Sequence, residues 1–193
     1  MNTPAHLILS AVIFARPYER PRTLAALAGA LTPDLSLYLM GGVALFIMGL
    51  SPNYVFGTLY FSEAWQMVFA VDNSFILWGL ALAVCWWRAW TNGMVFAISG
   101  LLHLALDFLL HRDDARRQFW PITNWVFQSP LSYWDRAYYG GVIGPIEMAL
   151  SVLFSVILFW RFSSLRSRSV IVSGLALQVA PVFVWAYVFA GGH

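Results

Sequence analysis

The stretch that decides the fold is an apolar segment that ends in a cluster of charges. It reads Gly100-Leu-Leu-His103-Leu-Ala-Leu-Asp107-Phe-Leu-Leu-His111-Arg112-Asp113-Asp114. On an α-helix, positions 103, 107, 111 and 114 fall within a sector of roughly 80°. Ionisable side chains in an apolar helix normally face the interior of a helix bundle and mark a functional site. The stretch therefore predicts a buried helix with one polar stripe, made of His103, Asp107, His111 and Asp114.

The rest of the chain is also poor in charge. Of its 193 residues, 60% are hydrophobic and 10% are charged, whereas a soluble domain carries about 25% charged residues. A net charge of +2 is too small to indicate a polyanionic partner, so no nucleic acid is expected. The composition predicts one integral membrane domain over residues 1–193, with the lipid bilayer as its partner.

Apolar runs of about 20 residues, the length that a bilayer core of ~30 Å requires, identify candidate spans. They lie at 35–50 (extendable back to 23), 67–87, 91–111, 141–161 and 169–190. The expected fold class is all-α, a polytopic membrane helix bundle with about five to six helices and a long extramembrane loop at 112–140. The apolar segment 5–15 is too short to span alone. Because no positive charge precedes it, we expect a helix of the mature protein and not a signal peptide.

Residues 23–50 form either one long helix or two helices joined at Thr32-Pro33-Asp34. Proline disfavours a helix interior, so we expect a break or kink near Thr32. Asp34 lies in apolar sequence, which is costly unless the carboxylate is neutralised, paired or bound to a cation. The alternative is that Asp34 caps a helix after a loop.

The long connection 112–140 is rich in aromatic residues, which suit the membrane–water interface. Connections of that length are often functional. Seven arginines lie in the loops 16–22, 88–90 and 161–168, whereas four lie between 112 and 136. The positive-inside rule therefore favours a non-cytoplasmic location for the 112–140 loop.

The polar stripe has two interpretations. A His and a carboxylate four residues apart can offer a nitrogen and an oxygen to one cation, and such ligands suit Zn, Mn or Fe. The alternative is a buried His–Asp network that joins helices or conducts protons. The adjacent arginines either form a salt-bridged helix end or recognise phosphate beside a metal. They are Arg112, Arg116 and Arg117.

Other polar residues in apolar sequence are candidates for the same site. If 5–15 and 23–33 form a helical hairpin, His6 and Asp34 emerge at the same end and could join His103 and Asp107. Taken alone, His6 is interpreted as an interfacial terminal residue. For two further groups, Asp72-Asn73-Ser74 and Glu147, helix capping and the helix dipole are the alternatives.

Three motifs together resemble a known family. They are Asn2-Thr3-Pro4-Ala5-His6, Gly29-Ala30-Leu31-Thr32-Pro33-Asp34 and the His103-x-x-x-Asp107 helix. The chain is similar over about residues 2–125 to the membrane-bound, metal-dependent hydrolases, also described as LexA-binding, inner-membrane-associated hydrolases. That family is related to zinc-dependent phospholipase C, an α-helical phosphoesterase with a multinuclear zinc site. The resemblance implies a bacterial inner-membrane protein.

By the same resemblance, His6, Asp34, His103 and Asp107 are metal ligands, and the reaction is hydrolysis of a phosphoester. The chain departs from the family at Asn73, where members typically carry a His. The expected function is therefore a membrane-embedded, metal-dependent hydrolase that acts on a lipid or lipid-linked phosphoester. Further roles are expected at His111 and Asp114, as ligand or base, and at Arg112, Arg116 and Arg117, as phosphate-binding groups.

The alternative function is non-enzymatic. A helical membrane protein that transports a metal or protons, or that stabilises a partner complex, could use the same His/Asp cluster. A conduit should place polar residues along the full membrane depth, whereas here they concentrate in one half.

Overall fold

The computed structural model describes the backbone of residues 1–190 and the side chains of residues 1–180. This part of the chain contains seven long helices and no β-strand, which confirms the all-α class. The helices are α1 (Thr3–Phe14), α2 (Arg20–Gly42), α3 (Glu63–Asp72), α4 (Phe75–Trp87), α5 (Thr91–Leu110), α6 (Gly140–Arg161) and α7 (Leu165–Ala190).

Four helical stretches among the described residues are long and apolar enough to cross a membrane, so the chain is a multi-pass membrane protein by length and composition. They are Arg20–Ile47, Glu63–Trp87, Thr91–Leu110 and Gly140–Arg161. The 12-residue α1 is shorter and buries Ala5, His6, Ile8 and Ser10 in the bundle. The α7 helix covers the predicted span 169–190, but the side chains of 181–190 lie outside the described residues, so that crossing stays a prediction.

The expected break near Thr32 is wrong, because α2 continues through Pro33 and extends as a π-helical turn over Val43–Ile47. Proline removes one backbone donor from the helix. The buried Asn73 amide donates to the Pro33 carbonyl over 3.1 Å and ties this part of α2 to the end of α3. Asp34 consequently lies inside α2, and the helix-cap interpretation of this residue is also wrong.

The predicted span 67–87 is divided into α3 and α4, which is why the bundle has seven helices and not five to six. The division falls at Asn73 and Ser74. The Ser74 hydroxyl accepts from the Leu77 amide over 3.1 Å and so caps α4, as the capping interpretation predicts. Asn73 ends α3, and its side chain donates to the Phe69 carbonyl over 3.0 Å.

Two helix contacts fix which loops share an end of the bundle. Gly29 of α2 packs against Phe96 of α5, and further along both helices Asp34 lies 3.6 Å from His103, so α2 and α5 run in the same direction. The guanidinium of Arg161 donates to the Ala15 carbonyl over 3.2 Å, which brings the end of α6 to the end of α1. The loops 16–22, 88–90 and 161–168 therefore lie at one end, here called the arginine end.

The segment 112–140 lies at the opposite end and is tied to the end of α5. The backbone amide of Ser129 donates to the His111 carbonyl over 3.1 Å, and that of Tyr133 donates to the Leu110 carbonyl over 3.2 Å. Within the segment only Arg136–Tyr138 forms a short 3₁₀ turn. Phe127 stacks on Phe108 of α5 with ring centroids 4.5 Å apart, so part of the aromatic content packs inside the protein.

Candidate metal centre

The first two side chains of the centre come from α5, where a spacing of four places them on one face. Nε2 of His103 lies 3.1 Å from Oδ2 of Asp107, and both residues are buried. The other ring nitrogen of His103, Nδ1, lies 2.7 Å from the Ala30 carbonyl oxygen. Because a carbonyl only accepts, Nδ1 carries the proton and donates. This second contact orients the ring and directs Nε2 toward the carboxylate.

The third side chain comes from α1. Nε2 of His6 lies 2.9 Å from Oδ1 of Asp107, and its ring stacks on that of His103 with centroids 3.7 Å apart. His6, His103 and Asp107 each offer one ligand atom, and these three atoms lie within 4.8 Å of one another. The structure thus contains a buried His/His/Asp cluster that could hold a metal ion.

Asp34 of α2 stands at the edge of this cluster. Its Oδ1 lies 3.6 Å from Nε2 of His103. Its Oδ2 accepts from the Thr3 hydroxyl over 2.5 Å, and that hydroxyl accepts from the phenol of Tyr38 over 2.8 Å. Sequence reasoning missed Thr3 and Tyr38 as supports of the centre. Thr3 belongs to the motif that contains His6, but no sequence spacing connects it to Asp34.

His111 and Asp114 lie beside the cluster although neither residue belongs to the α5 helix. α5 ends at Leu110, and His111 is extended, so the predicted four-residue stripe on one helix is wrong for its last two members. The loop nevertheless places Nε2 of His111 3.3 Å from Oδ1 of Asp107 and its Nδ1 3.1 Å from Oδ2 of Asp114. Burial lowers the pKa of His111, but the two carboxylates outweigh it and raise this pKa to about 9.

Met1 and Asn2, which precede α1, are also fixed beside the cluster. The nitrogen of Met1 lies 2.8 Å from Oδ1 of Asp107. The backbone amide and the side-chain amide of Asn2 each donate to Oε1 of Glu147 over 3.1 Å, and the same oxygen accepts from Gln178 over 2.8 Å. Glu147 is buried on α6 and therefore holds the start of α1, which positions His6.

The three arginines predicted to bind phosphate have different surroundings. Arg112 stacks on the Tyr138 ring, with its guanidinium carbon 3.8 Å from the centroid. Arg117 forms a two-pronged ion pair with Glu63, with both N–O distances at 2.6 Å. Arg116 is buried against the Phe69 ring and forms no ion pair among the described residues.

A cavity of about 850 Å³ adjoins the cluster. Its polar wall contains Asp34, His111, Asp114 and Arg116, and the remaining wall is mostly apolar and aromatic. This volume falls in the range of small-molecule pockets, roughly 300–1,000 Å³, which are typically apolar with a few convergent polar groups. A ligand in this cavity would contact Asp34 and His111, which border the cluster, and an apolar surface.

The remaining sequence candidates are accounted for as follows. Asn73 stands at the position where the resembling family carries a His, and it binds the backbone next to Asp34 without joining the His/His/Asp cluster. His193 lies outside the described residues. No protein-family model matches this chain, and neither a curated protein nor a solved structure is significantly similar to it.

Proposed function

We propose that this protein is a membrane-embedded, metal-dependent hydrolase that cleaves a phosphoester of a lipid or lipid-linked substrate. The observation that carries the proposal is the buried His6/His103/Asp107 cluster, which contacts Asp34 and His111 in the wall of a largely apolar cavity. The family resemblance of residues 2–125 supports the same chemistry and a place in the bacterial inner membrane. The arginine count supports a non-cytoplasmic position for residues 112–140.

The geometry of the cluster supports a metal. In a tetrahedral site with bonds of 2.0–2.1 Å, ligand atoms lie about 3.3 Å apart. The contacts of His6 and His103 with Asp107 measure 2.9 and 3.1 Å, and that of His103 with Asp34 measures 3.6 Å. These three distances bracket that value, but the two histidines face different oxygens of Asp107, so a shared ion would need both carboxylate oxygens or a turn of the carboxylate. Zn fits these nitrogen and oxygen ligands, and Mn or Fe accept the same set.

The hydrogen bonding of His103 leads to the same proposal. With Nδ1 donating to Ala30, Nε2 either carries a second proton or presents a lone pair toward two carboxylates. In the second arrangement three acceptors converge, namely Nε2 of His103 and one carboxylate oxygen each of Asp34 and Asp107. A divalent cation would satisfy all three. The first arrangement corresponds to the buried network without a metal. Elemental analysis separates the two.

Each group of the site has a proposed role. His6, Asp34, His103 and Asp107 would hold the metal, which would supply Lewis-acid activation of water. His111, whose Nδ1 faces Asp114, holds or transfers a proton at Nε2 on the cavity side of Asp107. Arg112, Arg116 and Arg117 supply positive charge for the phosphate group. The apolar wall receives the hydrocarbon part of the substrate.

The test begins with metal content. Purified protein should carry zinc, manganese or iron near one equivalent or more, and Asp107→Asn with His103→Ala should lose both the metal and hydrolysis of p-nitrophenyl phosphate or a phospholipid. Asp113→Asn is the matched control, because this neighbouring carboxylate is 62% exposed and lies outside the cluster. Native protein without stoichiometric metal refutes the proposal. Loss of partner binding in the double variant would then support the non-enzymatic alternative.

A further inference from the structure

Among the three arginines near the cavity, Arg116 has no polar partner. Arg112 donates to the Ser129 carbonyl over 3.3 Å and Arg117 is paired with Glu63, whereas the Arg116 guanidinium forms no hydrogen bond with any described residue. Arg116 is 9% exposed, and its buried Nη1 atom is without an acceptor. A buried charge of this kind is costly unless something pairs with it.

Aromatic rings alone support the Arg116 guanidinium. Its central carbon lies 4.1 Å from the Phe69 centroid and 4.8 Å from the Tyr60 centroid. Such contacts fix the plane of an arginine and leave its edge N–H groups free to donate. Both Arg116 and Tyr60 line the cavity. The aromatic rings therefore hold the Arg116 guanidinium beside the cavity, with its Nη1 atom buried and unpaired.

The acidic residues of the same wall do not take the place of a partner. Asp114 has Oδ2 3.1 Å from Nδ1 of His111, and Asp34 has Oδ2 bonded to the Thr3 hydroxyl. Neither carboxylate lies within 4.0 Å of the Arg116 guanidinium. The Arg116 guanidinium is therefore available to an acceptor that a ligand brings into the cavity.

We infer that Arg116 is the receptor for the anionic head group of an amphiphile whose hydrocarbon part lies along the apolar wall of the cavity. A guanidinium fork matches the oxygen geometry of a phosphate group, which makes an alkyl phosphate the fitting ligand class. The inference rests on the proposed function only in placing the phosphate beside the metal cluster. Capture of the ligand by Arg116 requires no hydrolysis.

The experiment measures binding to metal-stripped protein in lipid nanodiscs by calorimetry, with hexyl phosphate as the probe. Hexanol and inorganic phosphate test the two halves of the ligand separately. Arg116→Gln should weaken hexyl phosphate binding by about 10- to 100-fold, the usual range for a charge-assisted hydrogen bond. Arg136→Gln is the matched control, because Arg136 is exposed on the same segment. It should leave the dissociation constant unchanged.

The phosphate group and the hydrocarbon chain of hexyl phosphate should each contribute to its affinity. Hexyl phosphate should bind at least tenfold more tightly than either hexanol or inorganic phosphate, since both the fork and the apolar wall contribute. If inorganic phosphate alone binds as tightly, the site takes a free anion and the amphiphile inference is overturned. If Arg116→Gln and the wild type bind hexyl phosphate equally, the role of Arg116 is overturned.

Two further variants keep these outcomes interpretable. Where Arg116→Gln does not fold, Arg116→Lys retains the charge over Phe69 but lacks the planar fork, and it should still weaken binding severalfold. The Asp107→Asn/His103→Ala variant should bind hexyl phosphate through Arg116 even though it lacks the metal. Binding by this variant therefore separates failure of the proposed hydrolysis from failure of ligand capture.

Discussion

Gly29 is the position at which a single methyl group should disturb both the fold and the metal centre. A Cβ added there would lie 2.1 Å from the Phe96 carbonyl oxygen of α5, whereas ordinary contact begins at 3.4 Å. In Gly29→Ala, α2 must therefore move away from α5 by about 1.3 Å. The neighbouring contact between the Ala30 carbonyl and His103, now 2.7 Å, would open to about 4 Å and no longer be a hydrogen bond.

The expected cost combines two effects. Overpacking costs about 1–3 kcal/mol, and a lost buried hydrogen bond costs about 1–3 kcal/mol, with partial overlap between them. We expect a loss of about 2–4 kcal/mol in unfolding free energy, which lowers the Tm by roughly 5–15 °C in a chain of this size. Zinc affinity should fall by about 10- to 100-fold, because His103 loses the contact that orients its ring.

The assay follows tryptophan fluorescence during thermal unfolding in a neutral detergent, together with zinc competition against a chromophoric chelator. Gly42→Ala is the control on the same helix, because a Cβ at that position meets nothing within 4 Å. Alanine is the better helix former, so the control should match or exceed the wild-type Tm. Equal Tm values and equal zinc affinities for the two variants would refute the close approach of α2 and α5.

Three other predictions concern the metal, the helix junction and the topology. Zinc at about 100 times its Kd should stabilise the wild type by about 2.7 kcal/mol, and EDTA should reverse the gain; Asp107→Asn should show no zinc-dependent shift in Tm, and an equal shift would argue against a metal at the cluster. Asn73→Ala should cost about 1–3 kcal/mol in chemical unfolding, because two helix carbonyls lose their buried amide donor; an unchanged midpoint would contradict that role. Since Cys85 is buried and is the only cysteine, cysteines introduced at the exposed Ile122 and Tyr18 should report topology. An impermeant maleimide should label Ile122→Cys but not Tyr18→Cys in intact cells, and the reverse pattern would invert the proposed orientation.

The sequence was sufficient for the parts of this molecule that depend on local periodicity. The i, i+4 spacing of His103 and Asp107 places both side chains on one face of a helix wherever that helix packs. Apolar runs of membrane length likewise located the four candidate spans, because backbone satisfaction in lipid restricts such runs to helices. Neither inference requires knowledge of a neighbouring helix.

The failures share a different cause, which is that the deciding partner comes from elsewhere in the chain. Pro33 is accommodated inside α2 beside the Asn73 amide, 40 residues away. At the division between α3 and α4, the Ser74 hydroxyl donates to the Trp120 carbonyl and the Phe75 amide donates to the Gln118 carbonyl over 2.8 Å. These two bonds attach the 112–140 segment to the junction of the two helices. Helix propensity describes the cost of a proline or a polar residue within a helix. It contains no information about contacts with residues that are distant in the sequence.

The depth of the centre follows from helix lengths and connects the cluster to the cavity. At 1.5 Å per residue, His6 lies about 12 Å from the arginine end of α1, and His103 and Asp107 lie about 18–24 Å along α5. For a bilayer core about 30 Å thick that begins at the arginine end, these lengths would place the cluster within the core, on the side of the 112–140 segment. Water and a charged head group must reach it from that segment's side. The cavity lined by His111, Asp114 and Arg116 begins there, which is where an amphiphile would bring its phosphate while its chain stayed in an apolar environment.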